Sequence, residues 1–284
     1  RGRTQCALVG YSGSNKEAGI CASRFAIWRA QSDLAATLAA ANEKHLIFHG
    51  RGGSLARGGG RIDALVQTAP ASAINGVLRL TEQGEAINQS YGLSPIALRT
   101  LDRAFSALSL ATSQAIRSPP QADNPKHIEL CARMVEVSRD TYRRLVFSDP
   151  TFFEYFETVT PIDVISRMQI GSRPANRPDK QGLDALRSVP WVFAWTQSRH
   201  MLPYWYGAGA GLEAAISSHG LAAVQTAYRE RGFFRHLIDD IETSLARTDL
   251  DIAAYYNDLA YVSLHRYFVD FRREFARVTE LVLE

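Results

Sequence analysis

The stretch Leu46-Ile47-Phe48-His49-Gly50-Arg51-Gly52-Gly53-Ser54-Leu55-Ala56-Arg57-Gly58-Gly59-Gly60 decides how this chain is read. Three apolar residues, expected to form a buried strand, lead straight into a loop of six glycines that also carries His49 and two arginines. Glycine lets a backbone turn sharply and come close to a ligand, and the planar guanidinium forks of Arg51 and Arg57 suit phosphate or carboxylate. A flexible linker has no use for arginine. The loop is therefore expected to be an anion site, with His49 able to orient a small oxyanion and to titrate near neutral pH.

Working outward, the same design recurs. Cys6-Ala7-Leu8-Val9 is expected to be a buried strand that delivers Gly10-Tyr11-Ser12, and Val77-Leu78-Arg79-Leu80-Thr81 a third that delivers Glu82-Gln83-Gly84-Glu85. Trp191-Val192-Phe193-Ala194-Trp195 reads as a further buried strand before Thr196-Gln197. Arg167-Met168-Gln169-Ile170-Gly171-Ser172-Arg173-Pro174 reads as the end of another extended piece. Helices fall between them. One starts at Ser14, where Ser14-x-x-Glu17 has capping-box spacing and Ile27, Ala30, Leu34 and Leu38 recur on one face. Two more are expected over Ser94–Ile116 and His127–Phe147, separated by the loop from Ser118-Pro119-Pro120 to Pro125. From about Gly211 onward only helices are expected, with Tyr255, Tyr256 and Phe268 on apolar faces.

Strands that end in glycine and polar residues, alternating with helices, follow the plan of a β/α barrel, whose chemistry sits at the C-terminal ends of its strands. The expected fold is α/β and helix-rich: part of a TIM-like (β/α)8 barrel with inserted helices over residues 1–210, then a mostly α-helical region over 211–284. Four or five strands do not close such a barrel. With Arg1-Gly2-Arg3 at one end and Leu281-Val282-Leu283-Glu284 at the other, the expectation is a portion of a longer subunit.

Composition narrows the function. The 284 residues carry a net charge of +3, too little for a nucleic-acid surface, so any positive field must be local. Cys6, Cys21 and Cys131 show no ligand spacing and no disulfide framework. No apolar run approaches the roughly 20 residues of a membrane span, and no signal peptide precedes the first strand, so a cytoplasmic protein is expected.

Four further groups carry chemical weight. Lys16 is expected in the first turn of the first helix, where free N–H groups favour an anion. The segment is neither a P-loop nor a hydrolase elbow, because it lacks Lys-Ser/Thr after GxxxxG and the elbow's final glycine. Arg173 and Arg187, added to Arg51 and Arg57, make four guanidinium groups, enough for a substrate bearing both phosphate and carboxylate. Glu82 and Glu85 could form an acid pair. The aromatic set Trp191, Phe193, Trp195, Tyr204, Trp205 and Tyr206 is assigned to the core.

These residues resemble those of the phosphoenolpyruvate carboxylase family. The matching segments are Gly10-Tyr11-Ser12-x-Ser14-x-Lys16-x-Ala18-Gly19, His49 through Gly59, Leu78-Arg79-x-Thr81-x-Gln83-Gly84-Glu85, Gly171-Ser172-Arg173-Pro174-Ala175 and Leu186-Arg187-x-x-Pro190-Trp191-x-Phe193-x-Trp195-Thr196-Gln197. They fall in the family's order and spacing over roughly residues 7 to 260, which corresponds to the C-terminal half of a family subunit without its last segment.

The resemblance implies an enzyme that joins phosphoenolpyruvate and bicarbonate into oxaloacetate and phosphate, using Mg²⁺ or Mn²⁺, in a cytoplasmic homo-oligomer, typically a tetramer. It implies catalytic roles for Lys16, His49, Arg51 and Arg57, with Arg57 near the transferred phosphate. Arg173 and Arg187 would bind the substrate phosphate, and Arg247 and Arg57 would contact inhibitory dicarboxylates. The pattern also departs from the family. Gly13 stands where the family has a metal-binding aspartate, so the metal site is incomplete in this chain, and Glu17 is the nearest replacement carboxylate. Ala56 replaces a loop glycine, Arg61-Ile62-Asp63 replaces a Pro and His region, and Asn176 stands where lysine is common. The alternative implied by Gly13 is a paralogue that binds phosphorylated or carboxylate ligands without carboxylating them.

Overall fold

The computed structural model describes residues 4–117, 124–168, 170 and 173–284. It is helix-rich α/β. A parallel three-stranded sheet has the order β1 (Thr4–Gly10), β2 (Lys44–Gly50), β3 (Arg79–Leu80), with Val9 opposite His49 and His49 opposite Leu80. β1 and β2 are joined by α1 (Tyr11–Ala40), which makes a βαβ unit. After β2 come α2 (Ile62–Gln67), α3 (Gly84–Tyr91), α4 (Ser94–Arg117) and α5 (Pro125–Arg143). A π-helical turn, Arg144–Ser148, leads to α6 (Phe152–Val159) and α7 (Ile162–Arg167). Next are α8 (Gly182–Ala185), α9 (Ser188–Gln197), α10 (Ala208–His219), α11 (Leu221–Glu230), α12 (Gly232–Arg247), α13 (Leu250–Asn257) and α14 (Arg266–Leu283). Among the described residues the three parallel strands form an open sheet, not a closed barrel, and no helix is long and apolar enough to cross a membrane.

The expected helices over 94–116 and 127–147 are present, but other expectations are corrected. Trp191–Trp195 is part of helix α9, not a strand. A five-residue run that is apolar at every position has no polar face to reveal its period. The helix puts Trp191 and Trp195 four residues apart on one face, ring centres 5.5 Å apart and edge to face. Pro190 fits because it lies in the first turn, where no N–H is needed. Arg167 ends helix α7 rather than an extended piece. Gln169, Gly171, Ser172 and the loop residues 118–123 lie outside the described residues.

β1 is not buried. Only Val9 of the strand is, and Leu8 is 64% exposed, because β1 is an edge strand packed against α1 on one face. The capping box does not form either. α1 starts at Tyr11, with Gly10 as its cap, so the Ser14 hydroxyl sits inside the first turn and donates back to the carbonyls of Gly10 and Tyr11. Lys16 is accordingly in the second turn. Gly19 breaks the helix at φ 78°, and a Cβ there would stand 3.1 Å from the Tyr142 ring. Tyr255 is 77% exposed, not on an apolar face: the short α13 buries Ala253 and Asn257 instead.

The main core joins α1 to the helices of the C-terminal half. Of the expected aromatic set, Trp191, Trp195, Tyr204, Trp205 and Tyr206 are buried in it and Phe193 is half-buried; Phe152, Phe156 and Phe271 join them.

Candidate functional site

The loop after β2 is tight. Leu55–Arg57 forms a 3-10 turn, with Gly58 N–H donating to the Leu55 carbonyl and Gly59 N–H to the Ser54 carbonyl. Gly52 N–H donates to the Arg57 carbonyl at 2.7 Å, closing the loop on itself. Asn15 of α1 donates its amide to the Ala56 carbonyl at 2.6 Å, and Arg24 donates to the Leu55 carbonyl at 3.0 Å. The glycines are required by proximity. A Cβ on Gly52 would lie 2.7 Å from the Arg57 guanidinium, and one on Gly59 would lie 2.4 Å from the Gly53 carbonyl oxygen.

Arg57 is only 1% exposed. Its guanidinium donates to the Ser12 hydroxyl at 3.3 Å and to the Gln83 side-chain oxygen, and it lies 5.6 Å from the Phe193 ring centre. Ser12 follows β1 and Gln83 follows β3, so two strand ends fix one arginine of the β2 loop. Arg51 is buried as well and donates to the Gly60 carbonyl, with its Nε buried without a hydrogen-bond partner.

Ser12 and Gln83 form part of a cleft of about 550 Å³ that is also lined by Arg173, Arg177 and Arg187. A backbone pairing explains why Arg173 and Arg187 share it. Arg187 N–H donates to the Ala175 carbonyl and Arg177 N–H to the Ala185 carbonyl, so the two segments run side by side. Arg187 has its Nε buried without a partner. The first residues of α9, Ser188 and Val189, complete that wall, and Glu82 is a carboxylate in the lining. The side chain of Glu85 lies outside the described residues.

The other sequence candidates lie elsewhere. His49 is buried, and its Nδ1 is 2.9 Å from the Tyr11 hydroxyl. Burial pushes the His49 pKa down to about 4, with the Arg51 charge adding to the shift, while burial pushes Tyr11 up. Tyr11 thus keeps its proton and the imidazole is neutral, the two joined by a hydrogen bond at Nδ1. The Lys16 ammonium is 1% exposed and donates to the Leu183 carbonyl at 2.9 Å, with Glu17 3.6 Å away. Burial holds its pKa below the usual lysine value against the pull of Glu17. Arg247 is exposed at the end of α12 and does not line the cleft. Arg61 pairs with Asp63.

The residue pattern marks Tyr11, Ser12 and Gln83 only as polar residues at strand ends, with no role, and does not single out Asn15 or Arg24. For the first three that position is the available signal. Asn15 and Arg24 act from within a helix and leave none.

The family model for phosphoenolpyruvate carboxylase matches residues 1–284. A phosphoenolpyruvate carboxylase of Xanthomonas campestris pv. campestris (strain 8004) is 41% identical over 278 residues, covering 97% of this chain and 30% of that protein. One from Thermosynechococcus vestitus is 38% identical over 287 residues, covering 97% of the chain and 28% of that protein. Phosphoenolpyruvate carboxylase 3 of Arabidopsis thaliana is 41% identical over 254 residues, covering 89% and 26%. The chain therefore spans under a third of the length of the curated relatives it matches. With a match along its whole length, this chain belongs to the phosphoenolpyruvate carboxylase family.

Proposed function

We propose that these residues form the phosphoenolpyruvate-binding part of a phosphoenolpyruvate carboxylase, a cytoplasmic homo-oligomer. The observation that carries this reading is the cleft in which Arg173 and Arg187 face the Ser12 and Gln83 side chains that hold Arg57. The three guanidinium groups that line this space, Arg173, Arg177 and Arg187, suit a small ligand bearing phosphate and carboxylate, with Arg57 held just behind the lining by Ser12 and Gln83. In the reaction, a bicarbonate oxygen attacks the phosphorus, giving carboxyphosphate and the enolate of pyruvate. Carboxyphosphate releases CO₂ and phosphate, and the enolate carbon attacks CO₂ to give oxaloacetate. Arg173 and Arg187 hold the phosphate, Arg57 offsets charge on the group in transfer, and Lys16, His49 and Arg51 take the further catalytic roles that the family resemblance implies. Arg247, with Arg57, is the part of an inhibitor site that this chain supplies.

The donors of this cleft do not fit a divalent cation. Gly13 offers no oxygen, Glu82 is a lone carboxylate among arginines, and no group of three His, Cys, Asp or Glu side chains among the described residues could hold a metal ion. Glu17 lies beside Lys16 and lines a different surface depression, with Arg139 and Arg143. No step is therefore assigned to a metal. A Cβ at Gly13 would meet nothing nearer than the Ser188 hydroxyl at 4.0 Å, so an aspartate can be accommodated there. Gly13→Asp should raise Mn²⁺ affinity by about tenfold, the worth of one charge-assisted contact. Equal affinity in a calorimetric titration would place the cation elsewhere.

Gly13 also favours the second reading, a paralogue that binds such ligands without carboxylating them. Calorimetry with phosphoenolpyruvate tests the shared premise. Arg173→Ala should weaken binding by about tenfold or more. Unchanged affinity would put the ligand outside this cleft. Oxaloacetate formation by the whole protein that carries these residues then separates the two readings.

A further inference from the structure

Arg24 and Asp240 form a buried ion pair that none of the roles above uses. Arg24 lies on α1 beyond the Gly19 break, and its Nη2 donates to Asp240 Oδ2 at 2.8 Å. The two side chains are 13% and 8% exposed. The same Nη2 donates to the Leu55 carbonyl at 3.0 Å, and the guanidinium lies 5.7 Å from the centre of the Tyr11 ring. His236, one turn before Asp240 on α12, approaches the carboxylate at 3.8 Å. A buried ion pair is poor evidence for stability, since apolar residues of similar volume commonly serve as well. What apolar residues could not supply is a donor aimed at the loop. Leu55 opens the 3-10 turn that ends at Arg57, and its carbonyl also accepts from Gly58 N–H.

We propose that Asp240 and Arg24 are positioning residues for Arg57: α12 orients the Arg24 guanidinium, which pins the Leu55 carbonyl and so fixes where the glycine-rich loop places Arg57. The pin itself is a property of the fold; its bearing on phosphoenolpyruvate rests on the function proposed above. Asn15 holds the next carbonyl, Ala56, so α1 grips the turn at two adjacent residues. Arg24 is the grip whose direction depends on another helix, through a bond to Asp240 that spans 216 residues of sequence.

The test is hydrogen exchange on the ligand-free chain, following the amides of Gly52, Arg57, Gly58 and Gly59, each hydrogen-bonded within the loop. Arg24→Met removes the pin. The double variant Arg24→Met/Asp240→Asn removes it without leaving a buried charge, which guards against a single variant that does not fold. Both should speed exchange of the loop amides by about tenfold, the worth of a hydrogen bond to a charged group, with α10 amides unchanged. Arg24→Lys keeps a cation beside Asp240 without the planar fork. It should restore the melting temperature but not the loop protection, a split that a merely structural pair would not give. Loop exchange at the wild-type rate in the double variant would overturn the proposal, as would equal acceleration in α10. Phosphoenolpyruvate affinity, measured in parallel, should fall with loop protection; wild-type affinity in a loosened loop would remove Arg57 positioning from the proposal. Failure of the wild-type chain to bind phosphoenolpyruvate would overturn the proposed function and leave the exchange result intact.

Discussion

Gly58→Ala should dismantle the loop. Gly58 is in the left-handed region at φ 79°, and a Cβ there would lie 2.3 Å from the Tyr11 ring. An L-residue in that conformation costs about 1–2 kcal/mol, and forcing a methyl group into a packed site about 1–3 kcal/mol more. The ring cannot easily give way, because its hydroxyl is bonded to His49 and its face lies beside Arg24. The backbone must move instead, and Arg57, the next residue back, moves with it. Phosphoenolpyruvate affinity should drop by more than tenfold, with the loss confined to the loop in hydrogen exchange. Wild-type affinity in Gly58→Ala would mean that the loop conformation does not matter to the ligand.

Acid should destabilise the fold through two histidines. Burial pushes the pKa of both His49 and His200 from 6.5 down to about 4. His200 is fully buried: its Nδ1 meets the Ser198 hydroxyl, its Nε2 has no partner, and Trp195, Phe268 and Phe271 surround the ring. The unfolded chain takes up a proton on each as pH falls through 6.5, whereas the folded chain does so only near 4. Stability is therefore fully present above pH 6.5 and is lost between 6.5 and 4, by about 3 kcal/mol for each histidine. Asp240 and Glu274, whose pKa values burial raises, act in the opposite direction, so the comparison must be differential. Urea unfolding of wild type and His200→Phe at pH 7 and pH 5 isolates the His200 share: wild type should lose about 2 kcal/mol more than the variant over that interval. Parallel pH profiles would mean that His200 does not resist protonation.

Some parts of this molecule were legible because their chemistry is local. The glycine-arginine loop follows a strand, and glycines are forced where backbones nearly touch, so the loop could be read from its letters. The glycines mean something different from what mobility alone would suggest, though. Gly52 and Gly59 make room for Arg57 and for the Gly53 carbonyl, and the loop is packed rather than slack. Arg173 and Arg187 could be named as anion binders, but the pairing that sets them side by side depends on backbone bonds between residues 175–177 and 185–187. The α9 run reads as a strand in the sequence because a stretch apolar at every position shows no period. The contribution of α1 to the site was hidden for another reason: Asn15 and Arg24 act on carbonyls more than 30 residues away, and no sequence spacing records such a contact.

The edge position of β1 has a consequence for handling the protein in solution. Among the described residues β1 pairs on one side only, with β2, and its own Leu8 is exposed. On α4, Leu98, Leu101, Phe105 and Leu110 are exposed too. An open strand edge and a group of uncovered apolar side chains are what drive chains together as concentration rises. The arginine cleft is made by other residues. Charged substitutions on α4 are thus free to suppress clumping without touching the ligand chemistry, and solubility and binding can be tuned as separate properties of this chain.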